Sequence, residues 1–539
     1  MRYMRDGKGV PMRVAIIAPP YPLEEAPAPP LGVSYVAAAF EAAGCRVKII
    51  DYIVSRYTPE KLRAELDAFG PDIVGGTSVT MNFPVAADIM QTAKRHRPSA
   101  LTVMGGPHVS FDADRTLETY PEIDLLVLGE GERTIMELVP LLEDRSRWRG
   151  IKGLAFRQDG EVVMTGPREL IDDLDSIPLP ARHLLPLSRY RALGFPVSVI
   201  TSRGCPNACI FCQGRRMVGR KVRYRKVECV MDEIEQILSY GISRINVADD
   251  LFTSNRARVR EVCGQIRRRG LDFRWSAFAR VNTVDREILE MMRDAGCDGI
   301  SFGIESGNPE MLRRVRKGIT LEQAQKAVDL CREVGIFAHA SFMVGLPGES
   351  PESLADTRAF AQNLGIAYGY HFLAPFPGTD VREKIGEYDL EILTDDWARY
   401  DANSAIVRTS KLTAEEIERF VAIFVAETNE KWEREVLDYR EGRGLPEDNV
   451  RVGGHFRMQL TYRLLSEDLI ETHGRLPVNH ASGNGAVGAL CDRIREVTGC
   501  DSALVRDTIG DFVGAGYLKP RRRGATVEWR WTHNNLVDG

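Results

Sequence analysis

Along the first quarter of the chain, short β-branched runs alternate with longer stretches whose apolar positions recur every three to four residues. The runs RVAIIAP (13–19), RVKIIDY (46–52), DIVGGTS (72–78), ALTVMGG (100–106) and DLLVLGEG (124–131) predict strands. The segments near 31–43, 58–68, 83–96 and 111–119, with another after Glu132, predict helices. This alternation implies a parallel α/β sheet, read as a doubly wound, flavodoxin-like (Rossmann-type) domain over residues 11–145. Such sheets bind ligands at the carboxyl ends of their strands. Small residues collect at those ends: Gly75 to Ser78, Gly105, Gly106, Gly129 and Gly131.

Residues 146–195 are weakly patterned and contain proline, which predicts a connection. A second alternation follows over 196–400. Its strands are VSVIT (197–201), RINVADD (244–250), FRWSAFAR (273–280), DGISFGIES (298–306), AHASFMVG (338–345) and YGYHFLAP (368–375). Helical patterns separate them, and six such units predict a partial (β/α)6 barrel. Beyond residue 400 strands give way to helix: 413–439 keeps a 3.6-residue period, placing a helical extension over 401–450. Residues 451–539 predict a small winged-helix-like cap or interaction module ending in the basic KPRRRGATVEWRW (519–531).

Length supports this division, since 539 residues exceed one hydrophobic core. The net charge of −5, from 71 basic and 76 acidic residues, gives no overall field for nucleic acid. One short basic run is weak support for a nucleic-acid reader, and a cap or interaction module is preferred. No run reaches the ~18 apolar residues that span a bilayer, and VAIIA near the start is too short for a secretory segment. A cytoplasmic protein is expected. Seven of the ten cysteines are scattered singly; Cys205, Cys209 and Cys212 lie within eight residues. In a cytosolic chain that grouping points to metal ligation or catalysis, not disulfides.

The sequence TSRGCPNACIFC sets these three in a CxxxCxxC arrangement directly after the first barrel strand. Three thiolates can hold three irons of a 4Fe–4S cluster and leave the fourth open to substrate, whereas electron-transfer clusters usually have four protein ligands. A structural zinc site would need a fourth ligand nearby. The run Arg215, Arg216, Arg220, Lys221, Arg223, Arg225, Lys226 after the cluster reads as a solvated face.

This arrangement, with Phe211 before the last cysteine, resembles the radical S-adenosylmethionine (SAM) superfamily. The resemblance implies that the open iron chelates SAM's methionine part, and that one electron then yields a 5′-deoxyadenosyl radical. It further implies SAM contacts from Asp249 and Asp250 in VADDLFTSN, Arg280, Glu305 in FGIESGN, and Gly345 in MVGLPGES, with a flavodoxin or ferredoxin as electron donor. Each position also has a plain structural reading: the aspartates as helix caps, Glu305 as a surface carboxylate, GLPGE as a turn.

PPLGVSYVAAAFEAAG (29–44), GTSVT (76–80), GGPHVS (105–110) and VLGEGE (127–132) resemble the cobalamin-binding domain found ahead of many radical SAM barrels. That likeness implies cobalamin contacts from Gly75, Ser78, Thr80, Gly105, Gly106, His108, Gly129 and Glu130. Better-known cobalamin domains carry a DxHxxG loop whose His is the lower cobalt ligand; after Asp51 this chain reads YIVSRY, and His108 reads as a packing residue before a ligand. Together the two resemblances imply a cobalamin-dependent radical SAM methyltransferase acting on an unactivated carbon of an unknown organic substrate. The same cofactors used for cyclisation, and a cobalamin-responsive regulatory protein, are the alternatives. Methylthiolation would imply three further N-terminal cysteines, and only Cys45 is there.

Overall fold

The computed structural model describes residues 4–5, 10–21, 28–477 and 485–533. Five parallel strands, β1 (Arg13–Ala18), β2 (Arg46–Asp51), β3 (Ile73–Thr77), β4 (Leu101–Gly105) and β5 (Leu125–Val127), run in the order β2-β1-β3-β4-β5. That is the flavodoxin-like order, with its reversal between β1 and β3. The strands are near-continuously apolar because both faces are covered. Helices α1 (Leu31–Ala42), α2 (Pro59–Phe69), α3 (Phe83–His96) and α4 (Gly131–Leu138) divide between the faces, α1 and α4 burying Val33, Phe40 and Ile135 on one, α2 and α3 burying Leu62, Leu66 and Phe83 on the other.

The segment read as a connection adds two antiparallel strands to this sheet, β6 (Leu154–Gln158) and β7 (Glu161–Met164). Gln158 pairs with Glu161 across Asp159-Gly160, both at positive φ (54° and 86°). This is the two-residue hairpin turn that Asp-Gly favours.

The central sheet has six parallel strands in sequence order: β8 (Val197–Val199), β9 (Arg244–Val247), β10 (Arg274–Ala279), β11 (Cys297–Glu305), β12 (Phe337–Val344) and β13 (Ala367–Phe372). β8 and β13 are its two edges, so the barrel is open. Between the strands run α5 (Val227–Ser239), α6 (Arg256–Arg268), α7 (Arg286–Asp294), α8 (Leu321–Val334) and α9 (Pro351–Asn363). Alternate strand residues, among them Trp275, Phe302 and Phe342, are buried with the helices in one core. The opposite face carries Asn246, Ser276, Phe278, Ser301, His339 and Ser341, and Phe278 is half exposed. A period-2 pattern with a polar second face leaves an uncovered concavity, as expected of a partial barrel.

The helical extension is α10 (Ala414–Arg440), which sets Phe420 and Phe424 against Tyr368 and Tyr370 of β13 at 5.0–5.1 Å between rings. Then follow α11 (Pro446–Ser466), β14 (Arg475–Pro477), α12 (Gly485–Thr498), α13 (Ser502–Gly514), β15 (Leu518–Arg523) and β16 (Thr526–Trp531) around one core. The three strands form an antiparallel sheet in the order β14-β16-β15. This module docks beside β2: Leu465 packs with Val54 and Tyr190, and Asp468 pairs with Lys61 at 2.7 Å. No helix among the described residues is long and apolar enough to cross a membrane.

After β12 the chain turns sharply at Gly345 (φ 83°), where a Cβ would lie 2.9 Å from Val407. Glu349 is fully buried and closes the turn by accepting from the amides of Gly345 (2.6 Å) and Leu346 (3.3 Å), while its Oε1 has no hydrogen-bond partner. Burial pushes its carboxyl up to about 8, against the amide donors that favour the anion. The folded chain thus keeps a proton that the unfolded chain releases near the ordinary glutamate pKa. Its contribution to stability is full below that range and is lost as pH rises towards 8, at up to about 1.4 kcal/mol per pH unit. Glu349→Gln should flatten the pH dependence of thermal unfolding between pH 5 and 8. An unchanged slope would assign that dependence to another group.

Candidate functional site

The three cysteines lie on a loop tied at its base by a two-stranded ribbon, Ser202–Arg203 against Arg223–Tyr224. Gly204 enters the loop at φ 120°, and a Cβ there would lie 2.3 Å from the Lys221 carbonyl oxygen, so only glycine fits. Inside, Cys205 N donates to Gly219 O (3.0 Å) and Cys212 N to Cys209 O (3.3 Å). The thiols are free, and each sulfur has a nitrogen donor: Asn207 Nδ2 on Cys205 (3.3 Å), Arg280 on Cys209 (4.0 Å) and the Gly214 amide on Cys212 (3.3 Å). Among the described residues no three potential ligands converge on a single ion. A cluster needs no such convergence, because each thiolate holds its own iron, and N–H donors to sulfur are what tune it. The donor set fits a 4Fe–4S cluster.

The predicted SAM residues divide. Asp250 stands beside the loop, accepting from Gly204 N at 3.4 Å. Arg280, at the end of β10, reaches Cys209 and donates to the carbonyls of Lys317 and Gly318. Glu305 ends β11 at φ 75°, beside a register shift in the β11–β12 pairing, and its carboxylate is held by Lys317 at 2.6 Å. A side chain at Gly303 would collide with that pair, 2.6 Å from Glu305 Oε1. Lys317 Nζ in turn lies 6.0 Å from the Phe211 ring centroid. A non-glycine residue held at positive φ by a buried ion pair is the kind of strain found at functional sites. Asp249 takes another role. Fully buried, it accepts from the amides and hydroxyls of both Thr201 and Ser202 at 2.5–3.1 Å, so both oxygens are spent holding the strand-to-loop turn.

At the N-terminal sheet's order reversal, a cleft opens between Ile16, α1, Gly75, Gly76, Gly105, Gly106, Gly129 and Gly131. Gly32 and Gly129 face open space where a Cβ would intrude on the cleft, and Gly106 (φ 102°) would meet Ser78 O at 2.5 Å. Ser78 Oγ is buried at the strand end without a hydrogen-bond partner. A glycine cradle beside an orphaned hydroxyl fits a ligand that must approach the backbone closely, as cobalamin's nucleotide tail does.

His108 is a packing residue, whereas Glu130 and two arginines of the basic run depart from expectation. His108 is fully buried, tilted on Phe83 at 4.0 Å and edge-on to Trp397 at 5.1 Å, with Thr80 3.4 Å from its Nδ1. Burial, then Arg115 and Arg382, hold its pKa down to about 3, so it is a neutral packing residue, and Thr80 is its neighbour. Glu130 turns to the cluster domain: Arg223 grips both its oxygens (2.7 and 2.9 Å) and the Ile171 amide donates to it (2.7 Å). Arg223 and Arg225 are accordingly 4% and 5% exposed, not a solvated face. The segment after Asp51 packs against Tyr190, whose hydroxyl donates to Asp51 at 2.7 Å, and not into the cleft.

The cysteine loop is also fastened to the stretch that follows β13. Gln213 Nε2 donates to Pro377 O (2.5 Å) and Val381 N to Ile210 O (3.0 Å), fastening the cysteine loop to residues 377–381. Gly378 of that same stretch lies so close to Phe111, at the end of the short helix that follows β4, that a Cβ would sit 2.4 Å from its ring. Lys317, Arg203 and Arg223 are the participants that sequence reasoning missed; nothing local marks them, because their partners lie 12 to 93 positions away.

Comparison with known proteins agrees with this geometry. The family model for the radical SAM superfamily matches residues 199–361, and that for the B12 binding domain matches 25–139. An uncharacterized methyltransferase of Pyrococcus horikoshii is 37% identical over 396 residues, covering 73% of this chain and 86% of the relative. The anaerobic magnesium-protoporphyrin IX monomethyl ester cyclase of Cereibacter sphaeroides is 33% identical, over 72% of this chain and 65% of the relative. Among solved structures, the radical SAM methyltransferase TsrM of Kitasatospora setae, with cobalamin and a 4Fe–4S cluster bound, has a TM-score of 0.65 at 22% identity, covering 77% of this chain and 88% of that one. The cobalamin-dependent radical enzyme OxsB, with aqua-cobalamin and SAM bound, has a TM-score of 0.68 at 18% identity, covering 93% and 84%. At these identities the two structures speak for the fold. The chain belongs to the radical SAM superfamily, in the group whose SAM domain follows a B12-binding domain, and its cofactors are a 4Fe–4S cluster, SAM and cobalamin.

Proposed function

We propose that the chain methylates an unactivated carbon of an organic substrate, acting in the cytoplasm with a flavodoxin or ferredoxin as electron donor. The observation that carries this reading is a shared boundary: Glu130, between the cleft-lining Gly129 and Gly131, is gripped by Arg223 of the ribbon that closes the cysteine loop. When bound, the cluster supplies the electron that breaks SAM's sulfonium bond, and cobalamin supplies a methyl carrier. The chain's own residues bind and orient. Asp250 offers a carboxylate to the ammonium of SAM's methionine part, and Arg280 a guanidinium to its carboxylate, a charge-assisted pairing. The Lys317–Glu305 pair, both members nearly buried, holds β11's strained end in place beside Phe211.

A second reading, the same cofactors used for ring closure without methyl transfer, is favoured by the 33% identity to the cyclase. Anaerobically reconstituted protein separates the two. With SAM, cobalamin and reductant, methyl transfer predicts both 5′-deoxyadenosine and S-adenosylhomocysteine; 5′-deoxyadenosine alone would sink it in favour of the second reading. Replacing Cys205, Cys209 and Cys212 with alanine should abolish iron binding and 5′-deoxyadenosine formation. Lys317→Met leaves Glu305 buried and unpaired, which typically costs about 3–5 kcal/mol. SAM cleavage by that variant should fall at least about tenfold; cleavage at the native rate would remove the pair from the site.

A further inference from the structure

Between the cysteine loop and the cleft lies an ion-pair cluster that neither cofactor site accounts for. Glu130 sits between Gly129 and Gly131, both of which line the cleft. Arg203 stands two residues before Cys205, and its backbone pairs with Arg223 across the ribbon that closes the loop. The four side chains interlock. Arg223 grips Glu130 with two bonds, Arg203 reaches Glu130 at 3.3 Å, and Arg203 binds Glu132 at 2.6 Å. Arg223 also donates to the carbonyls of Ile171 (2.6 Å) and Val218 (2.8 Å), the latter within the loop. Side-chain exposures of 2% for Arg223, 6% for each glutamate and 11% for Arg203 place the cluster out of solvent. The Arg223–Glu130 pair is a fork meeting a carboxylate, a geometry that fixes orientation as well as distance.

Buried ion pairs are a poor source of net stability, and apolar side chains of the same volume often serve better. Their better attested use is to specify one arrangement out of several. Here they join the ribbon that closes the loop to one of the turns that rim the cleft. We propose that Glu130, Glu132, Arg203 and Arg223 form a clamp that sets the position of the cysteine loop over the cobalamin cleft, all four acting as positioning residues. The clamp rests on the proposed function only where methyl transfer is measured.

The test uses the full reconstituted chain in three forms: native, Glu130→Gln and the milder Glu132→Gln, which loosens only Arg203. Hydrogen exchange over residues 204–222 should speed up by about tenfold or more in both variants, while iron content and the optical titration with hydroxocobalamin stay native. S-adenosylhomocysteine formation, which needs loop and cleft aligned, should fall about tenfold relative to 5′-deoxyadenosine formation, which needs the loop alone. Native exchange and a native product ratio in Glu130→Gln would overturn the clamp. If Glu130→Gln does not fold, the same native results in Glu132→Gln would overturn it. Should the native chain make no S-adenosylhomocysteine, the methyl-transfer reading fails, and the exchange measurement decides the clamp by itself.

Discussion

Two carboxylates and two guanidiniums, packed out of water where the two α/β units meet, are the constraint on which the arrangement depends. Glu130 ends the strand-to-helix turn of a glycine-walled cleft, and Arg203 and Arg223 are the paired ribbon residues on either side of the cysteine loop. Leaving a buried charge unpaired costs several kcal/mol, so neither unit can shift without exposing or stranding one. A cofactor cleft and a cluster loop, each serviceable alone, become parts of one site through this boundary and through the close approach of Gly378 to Phe111.

Unusual backbone conformations mark both the loop and the cleft. Gly204 at φ 120° lets the loop leave its ribbon beside the Lys221 carbonyl, and Gly106 at φ 102° lets the cleft rim pass beside Ser78. Glu305 adopts φ 75° without being glycine, and the Lys317 ion pair holds it there. Such conformations persist when the surroundings over-determine them. Positive φ also occurs at Asp159, Ala402 and Asp468, away from the loop and the cleft.

Much of this was legible in the sequence, and the failures have physical causes. Strand-and-helix alternation gave the five-stranded order and the six open barrel units, because period and crossover length are local properties. The cysteine spacing and the strand-end glycines likewise mark loop and cleft directly. Asp159-Gly160 carries a hairpin signal, but the weak patterning on either side hides β6 and β7. Side-chain partners were the weak point. Asp249 and Asp250 are adjacent and look alike, yet one is consumed by Thr201 and Ser202 while the other stays beside the loop. Glu130 lies in a stretch that resembles a cofactor contact, but its partner is Arg223, 93 positions on. No pattern in one sequence reports a pairing at that separation.

The central claim is that one chain holds a cluster loop and a cobalamin cleft at a fixed separation. Pulsed electron paramagnetic resonance on the reconstituted protein reads this directly, as the distance between the reduced cluster and cobalt(II) cobalamin. A single narrow distance distribution, broadened in Glu130→Gln, is the result this account predicts. A broad or multiple distribution in the native chain would contradict it.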